Sequence, residues 1–177
     1  KYPSFTGYIG DTTINIAVMF LIIVGGIGFL TWDDICTNKW HFKKYRMQSK
    51  VILVTTAILI IAPAVFFFFC DFTGLPLAER ILASLFQSVT PRTAGFNTAD
   101  LPAMTGSSKA IMTMLMLVGG SPGSTAGGMK TTTLAVLILS AFSVCRKKDD
   151  AEVCGRRIDG SAVKNATAVA VMYFLLF

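Results

Sequence analysis

Long apolar runs alternate with short charged segments along the chain. The first run covers residues 12–30 and contains no charged residue, and the second covers residues 51–69. Each would be about 28 Å long as a helix, which is enough to cross the hydrocarbon core of a bilayer. A third apolar run begins at Ala110 and a fourth begins near Ala162. The pattern predicts an all-α integral membrane protein.

Single residues refine the first two predicted helices. Asp11 directly precedes the first run and is expected to cap its helix. The glycines within residues 25–28 are small enough to let another helix approach closely. Pro63 lies inside the second run and predicts a kink there.

The charged segments predict the orientation of the chain. Residues 31–50 and 145–161 both contain an excess of Lys and Arg, whereas residues 70–109 contain few basic side chains. Positively charged loops of multi-pass membrane proteins stay in the cytoplasm. We therefore predict cytoplasmic loops at residues 35–50 and 145–161, with the segment between the second and third runs on the outside.

That outer segment predicts a re-entrant pore loop. A short amphipathic stretch, residues 77–88, leads into Ser-Val-Thr-Pro-Arg-Thr-Ala-Gly-Phe-Asn at residues 88–97. The layout is typical of a half-helix that enters the bilayer and an extended strand that returns to the surface. Irregular backbone is tolerated at membrane depth only where protein or water surrounds it, so this feature points to ion permeation. The predicted selectivity filter comprises Thr93, Ala94, Gly95, Phe96 and Asn97.

This strand resembles the Thr-Val-Gly-Tyr-Gly strand of potassium channels, whose backbone carbonyls replace the hydration shell of the ion. The resemblance implies that K⁺ is held by the backbone of Thr93, Ala94 and Gly95. Gly95 is expected to let the strand bend so that these carbonyls face the pore axis. Arg92 is expected to anchor the loop through hydrogen bonds rather than to touch ions.

A glycine-rich stretch interrupts the third apolar run. From Ala110 to Val144 a continuous helix would be about 52 Å long, far more than a bilayer needs. Glycines and Pro122 disfavour a helix in its middle, so we predict two helical pieces joined by a flexible loop. That loop comprises Gly119, Gly120, Ser121, Pro122, Gly123, Ser124, Thr125, Ala126, Gly127 and Gly128, with Lys130 just beyond it.

Two properties of this loop bear on its function. A lysine at membrane depth costs about 2.5–3.5 kcal/mol, so Lys130 should face water, a carboxylate or a carbonyl. The stretch also approaches the Walker pattern of nucleotide-binding loops, but Met129 separates Gly128 from Lys130 and no strand pattern precedes it. Nucleotide binding is therefore not expected.

The composition supports the membrane class. The chain has 177 residues, of which 53% are hydrophobic and 15% are charged, and its mean hydropathy is +0.62. A soluble domain of this length normally carries more charge. The formal net charge of +6 comes mainly from the clusters beside apolar runs. No basic stripe alternates with aromatic residues, so no nucleic-acid partner is expected.

Residues that support catalysis or metal binding are sparse. His41 is the single histidine, and we expect it on an exposed loop. Cys36, Cys70, Cys145 and Cys154 lack metal-ligand spacing, and a reducing cytoplasm would keep those beside the basic loops as thiols. No His/Asp/Glu cluster offers general acid–base chemistry. We expect no enzymatic activity and no cofactor in this chain.

Two long motifs carry a resemblance to a known family. Residues 90–98 read Thr-Pro-Arg-Thr-Ala-Gly-Phe-Asn-Thr, and residues 119–131 read Gly-Gly-Ser-Pro-Gly-Ser-Thr-Ala-Gly-Gly-Met-Lys-Thr. The segment at residues 3–11 adds support. The whole chain is similar to the ion-conducting subunits of the Ktr/Trk/HKT superfamily of potassium transporters, in particular the Ktr branch. The resemblance places the filter glycine at Gly95 and an intramembrane gating loop at residues 119–131.

The resemblance implies four helix–pore loop–helix repeats of potassium-channel type in one polypeptide. Residues 1–34 would be the second helix of a preceding repeat, residues 51–144 a complete repeat with its second helix broken, and residues 162–177 the start of the next. One filter segment of four cannot enclose a pore, so this piece alone should not conduct. The implied partners are the remaining repeats of the same subunit, a second subunit in a homodimer, a cytosolic nucleotide-binding regulatory ring and the lipid bilayer.

The predicted function is potassium uptake across a bacterial plasma membrane through a channel-like pore. K⁺ is the transported ion, and Na⁺ is a candidate coupling or activating ion. The alternative is an alternating-access secondary cation transporter with a broken-helix substrate site, which would need a paired broken helix that the sequence does not show. A scaffold or receptor would have no use for a pore loop.

Overall fold

The structure is a computed structural model that describes residues 10–39, 41–99, 101–147, 152–153 and 156–176. The motif at residues 3–9, Lys148 and Cys154 lie outside the described residues. The described helices are α1 (Thr12–Ile27), α2 (Phe29–Asn38), α3 (Met47–Cys70), α4 (Leu77–Val89), α5 (Gly106–Leu117), α6 (Thr131–Cys145) and α7 (Gly160–Leu176). Short 3₁₀ turns lie at Phe42–Lys44 and Leu101–Ala103, and β1 (Glu152–Val153) pairs antiparallel with β2 (Arg156–Arg157). Apart from these two short strands, the described structure is helical, as predicted.

The first predicted helix is broken. Asp11 caps α1 as expected, since its side chain accepts hydrogen bonds from the backbone of Thr13 (3.0 Å) and Ile14 (3.1 Å). The prediction of one helix over residues 12–30 is wrong, because α1 ends at Ile27 and α2 is bent away from it by 96°. Gly28, at the break, has a φ of +87°. Only glycine adopts such a backbone readily, so this residue permits the change of direction.

The long helix α3 lies at the centre of the described bundle. It continues through Pro63 as one helix of 24 residues and packs against α2, α4, α5 and α6. Its fully buried Phe67 belongs to a hydrophobic cluster that also includes Phe72, Ala83, Ala99, Met104 and Met112. A second cluster joins Met19 of α1 to Phe86 and Val89 of α4.

The short helix α4 confirms the amphipathic helix predicted at residues 77–88, and two polar contacts fix it against α3. Arg80 donates from Nε (2.8 Å) and Nη2 (2.5 Å) to the carbonyl oxygen of Phe68. Its guanidinium carbon also lies 4.0 Å from the centre of the aromatic ring of Phe68. Ser88 Oγ donates to the carbonyl oxygen of Ile60 at 2.6 Å. Both ends of α4 are therefore attached to the same long helix.

The described apolar helices differ in whether they are long enough to cross a membrane. α3 is long and apolar enough to cross a membrane by itself. α1 and α2 are long and apolar enough only when they are counted as one segment across their bend. The described part of the chain therefore contains one or two segments that could cross a membrane. α6 and α7 are apolar but shorter.

Candidate functional site

The predicted filter residues form an irregular loop directly after α4. The last turn of α4 is buried, and the chain then turns so that the backbone N–H groups of Ala94 (3.3 Å) and Gly95 (3.2 Å) both donate to the carbonyl oxygen of Thr90. The hydroxyl of Thr90 also donates to the carbonyl oxygen of Phe96. Thr90 therefore holds the two ends of the loop together through its main chain and its side chain.

Two residues of this loop have left-handed backbones. Thr93 has a φ of +69° and Gly95 has a φ of +74°. A Cβ atom added at Gly95 would meet no atom within 4 Å, so the requirement for glycine comes from the backbone and not from crowding. Thr93, Gly95 and Phe96 are exposed, and Ala94 and Asn97 are half-buried.

Arg92 is buried beside this loop, with 6% of its surface exposed. Its Nε and Nη2 atoms have no hydrogen-bond partner among the described residues. The described residues thus supply no hydrogen bond for these two atoms, and the anchoring role of Arg92 stays a prediction.

The glycine-rich stretch separates α5 from α6 as predicted, but it is compact. The backbone N–H of Gly119 donates to the carbonyl oxygen of Met129 (2.9 Å), and the N–H of Met129 donates to that of Leu117 (3.0 Å). The N–H of Thr131 donates to the carbonyl oxygen of Gly120 (3.1 Å). These hydrogen bonds join the two ends of the stretch directly. The prediction of a flexible joint thus needs correction at its two ends, because backbone hydrogen bonds join residues 117–120 to residues 129–131.

The glycines at the closure are needed for contact between backbones. A Cβ atom at Gly119 would lie 1.5 Å from the carbonyl oxygen of Gly127, and one at Gly128 would lie 2.9 Å from the amide nitrogen of Gly119. Lys130 follows the closure, and its ammonium donates to the carbonyl oxygen of Ala126 at 2.9 Å. This carbonyl is one of the partners predicted for Lys130.

The glycine-rich loop also occupies the break between α1 and α2. Ser121 donates from its backbone to the carbonyl oxygen of Gly26 (2.9 Å), and Thr125 donates to that of Gly25 (3.3 Å). In return, the backbone of Phe29 donates to the carbonyl oxygen of Gly123 (3.3 Å). The expectation that residues 25–28 receive another helix is wrong, since an irregular loop fills the space that these small residues leave.

The loop after α4 and the glycine-rich loop line one cavity of about 140 Å³. Thr93 and Ala94 come from the first loop, Thr125 and Ala126 from the second, and Gly25 and Gly26 from the end of α1. The predicted filter and the predicted gating loop are thus neighbours in space, with α1 as a third wall. Sequence reasoning missed that third wall, although the closely spaced glycines at residues 25–28 were its signal.

Catalytic and metal-binding chemistry has little support in the described part of the chain. No group of three or more His, Cys, Asp or Glu side chains there is placed to hold a metal ion. His41 is exposed on the connection between α2 and α3, as expected. Cys36, Cys70 and Cys145 are exposed free thiols.

Comparisons with known proteins agree on a single family. The model of the TrkH family of cation transport proteins matches residues 3–177. The chain is 41% identical to the potassium/sodium uptake protein NtpJ of Enterococcus hirae over 154 residues, which are 84% of this chain and 34% of that protein. It is 34% identical to the Ktr system potassium uptake protein B of Bacillus subtilis over 177 residues, which are 96% of this chain and 40% of that protein.

The fold agrees with the sequence comparisons. The structure resembles the crystal structure of the potassium transporter TrkH from Vibrio parahaemolyticus with a TM-score of 0.75 and 19% sequence identity, over 98% of this chain and 39% of that one. At this identity the likeness establishes the fold. The chain spans between a third and two fifths of the length of these three proteins.

Proposed function

This chain belongs to the TrkH family of cation transport proteins, and on that premise we propose that it supplies one filter segment and the gating loop of a membrane potassium-uptake subunit. K⁺ is the transported ion. The names of the relatives support this choice, since one is a potassium/sodium uptake protein and another a potassium uptake protein. We also propose Na⁺ as a coupling or activating ion, and the first of these names supports the involvement of sodium.

The shared cavity is the observation that carries the proposal. A gate must lie next to the filter on the ion path, and the two predicted segments line one space of about 140 Å³. Thr93, Gly95 and Phe96 form the exposed face of the filter loop, which in our proposal meets the equivalent segments of other repeats. Backbone carbonyls presented by such segments replace the hydration shell of a cation.

We assign the helices to repeats on the same premise. α3, α4 and the broken pair α5 and α6 form one helix–pore loop–helix unit, which corresponds to the repeat predicted over residues 51–144, and α1 belongs to the preceding repeat. The lipid bilayer of the plasma membrane surrounds the unit, and the two basic loops lie in the cytoplasm. The remaining repeats of the same subunit close the pore. In our proposal a homodimer and a cytosolic nucleotide-binding ring complete the assembly. The word "system" in the relatives' names supports the presence of further components without identifying them.

One observation favours the alternative of alternating access. Gly28 breaks a second helix, so the described structure contains two broken helices that touch each other, and broken helices mark ion sites in many transporters. Against it, the half-helix α4 and its irregular loop have no role in that mechanism. Currents through single proteins in planar bilayers separate the two, because only an open pore gives resolvable steps.

The filter assignment is tested by Gly95→Ser in the full polypeptide, with Gly74→Ser as the matched control. A left-handed backbone costs a residue with a Cβ atom about 1–2 kcal/mol, so Gly95→Ser should distort the filter and lower the ratio of K⁺ to Na⁺ uptake about tenfold. Gly74 is exposed, has open space around it and is not among the residues with positive φ. An unchanged uptake ratio in Gly95→Ser would remove this residue from the filter.

A further inference from the structure

Three of the last four carbonyl groups of α1 are capped by a distant part of the chain. The last four carbonyls of a helix have no partner within it. Trp32 Nε1 donates to the first of them, Val24 O, at 3.0 Å. The other three, on residues 25–27, receive hydrogen bonds from Ser121 and Thr125 of the glycine-rich loop.

We propose that these contacts form a latch that holds the gating loop closed, and that Ser121 is its positioning residue. The latch consists of Ser121, Thr125 and the carbonyls of residues 25–27. The inference rests on the proposed function, since it names how the proposed gate is held. It implies that the loop opens only when α1 and the loop separate.

Ser121 is the centre of the latch. It is fully buried. Its backbone N–H and its hydroxyl both reach Gly26 O at 2.9 Å, and the hydroxyl also contacts the carbonyl oxygen of Ile27. A buried carbonyl without a donor is costly, so the loop is bound to this helix end as long as water is excluded from it.

Gly28 makes the latch possible from the other side. A Cβ atom at this position would lie 2.6 Å from the carbonyl oxygen of Pro122 and 2.8 Å from Ser121 Oγ. The break therefore exposes the α1 carbonyls and also leaves room for the loop that binds them. Phe29, the first residue of α2, donates to Gly123 O, so α2 is attached to the loop as well.

The attachment of α2 gives the latch a route to the cytoplasmic side. α2 runs from the latch toward the basic segment that precedes α3. Asp34 of α2 accepts, through Oδ2, a hydrogen bond from the backbone of Arg46 in that segment at 2.7 Å. A displacement of that segment would pull on α2 and so on the break at Gly28. A cytosolic regulator could thus release the gate without touching it.

A reversible cross-link tests whether the latch must separate. A Cβ atom at Gly25 would lie 3.2 Å from Thr125 Oγ1, so Gly25→Cys with Thr125→Cys should form a disulfide once the native cysteines are replaced by serine. In the full polypeptide, oxidation should abolish K⁺ flux and a reductant should restore it. The two single variants are the controls, since neither should respond to oxidation. The latch would be overturned if the two cysteines failed to cross-link. It would also be overturned if the cross-linked protein transported K⁺ as fast as the protein treated with reductant.

Ser121→Ala is a second test, which removes a single hydroxyl group from the latch. Loss of the hydroxyl should raise basal K⁺ flux about fivefold, in line with the net contribution of one hydrogen bond, and should leave less for a regulator to activate. Ser143→Ala is the matched control, because its hydroxyl donates to Ser140 O at 2.9 Å within α6, away from the loop. Equal basal flux in Ser121→Ala and the unaltered protein would contradict the role of Ser121.

The latch and the proposed function can fail separately. If Gly95→Ser leaves the ion preference unchanged while the cross-link still blocks flux, the filter assignment is wrong and the latch stands. If Gly95→Ser changes the preference while the cross-linked protein still transports, the latch is wrong and the pore assignment stands.

Discussion

At the scale of single residues, glycines in this chain serve different physical purposes. Gly95 provides a left-handed backbone in open space, whereas Gly119 provides room for another backbone. Gly28 does both, since it has a φ of +87° and would place a Cβ atom against Pro122 O. A count of glycines cannot separate these roles, but the structure does.

This difference predicts unequal effects of the same substitution at two nearby positions. Gly28→Ala should destabilise the protein by about 1–3 kcal/mol, because it combines a strained backbone with a clash. Gly26→Ala should change stability little, since a Cβ atom there meets nothing within 4 Å and alanine favours a helix. Thermal unfolding of the two variants in detergent measures the difference. Equal melting temperatures would show that the break at Gly28 tolerates a side chain.

At the scale of elements, the position of α4 depends on its contacts with α3. Arg80 binds the Phe68 carbonyl through two nitrogen atoms and stacks on the ring of the same residue. A lysine offers a single ammonium and no planar face, so Arg80→Lys keeps the charge but loses this geometry.

We expect Arg80→Lys to lower stability by about 1–2 kcal/mol and to alter ion preference, because α4 leads into the loop that we propose as the filter. Lys109→Gln is the control, since Lys109 makes one exposed hydrogen bond to Pro102 O at 3.0 Å. Thermal unfolding and the ratio of K⁺ to Na⁺ uptake are the measurements. Wild-type values for both in Arg80→Lys would mean that packing alone positions α4.

The glycine-rich loop allows a second test at this scale, because its two ends touch. Gly119 and Gly128 are in backbone contact, so deletion of residues 121–127 should leave α5 and α6 in place. If the loop is the proposed gate, the deletion removes the obstruction of the ion path, and potassium flux should rise several-fold with less left to regulate. Membrane insertion of the variant is verified first. Flux at the wild-type level with intact regulation would mean that the loop is a packing feature and not a gate.

At the scale of the whole molecule, the basic loops and the α4–α5 connection are predicted to lie on opposite sides of the membrane. Lys43, Lys147 and Ser107 are exposed positions on these segments. Single cysteines at positions 43 and 147 should be protected from an impermeant thiol reagent in intact cells, and a cysteine at position 107 should react. Permeabilised cells, in which all three should react, are the control. Labelling of position 43 from outside would reverse the orientation.

The apolar runs, the break in the third run and the amphipathic helix before the filter segment were all predictable from the sequence. Each depends on residues close together in the chain: α3 on a long apolar run, α4 on amphipathic spacing, and the separation of α5 from α6 on glycines and Pro122. The cap by Asp11 is equally local. Local patterns suffice here because helix formation and helix ends are governed by neighbours a few residues away.

The break at Gly28 and its contact with Ser121 could not be predicted in this way. The first run has the apolar composition of a continuous helix, and its bend is stabilised by donors about 95 positions later in the chain. Arg92 shows the same limit, since its burial depends on the elements around it. The sequence by itself determined the family, the helical class and the two irregular loops, at residues 90–97 and 119–128, for which we propose functions. Only the tertiary structure decided that these loops share one cavity and that the end of α1 holds one of them, because hydrogen bonds between distant segments exist only after the chain has folded.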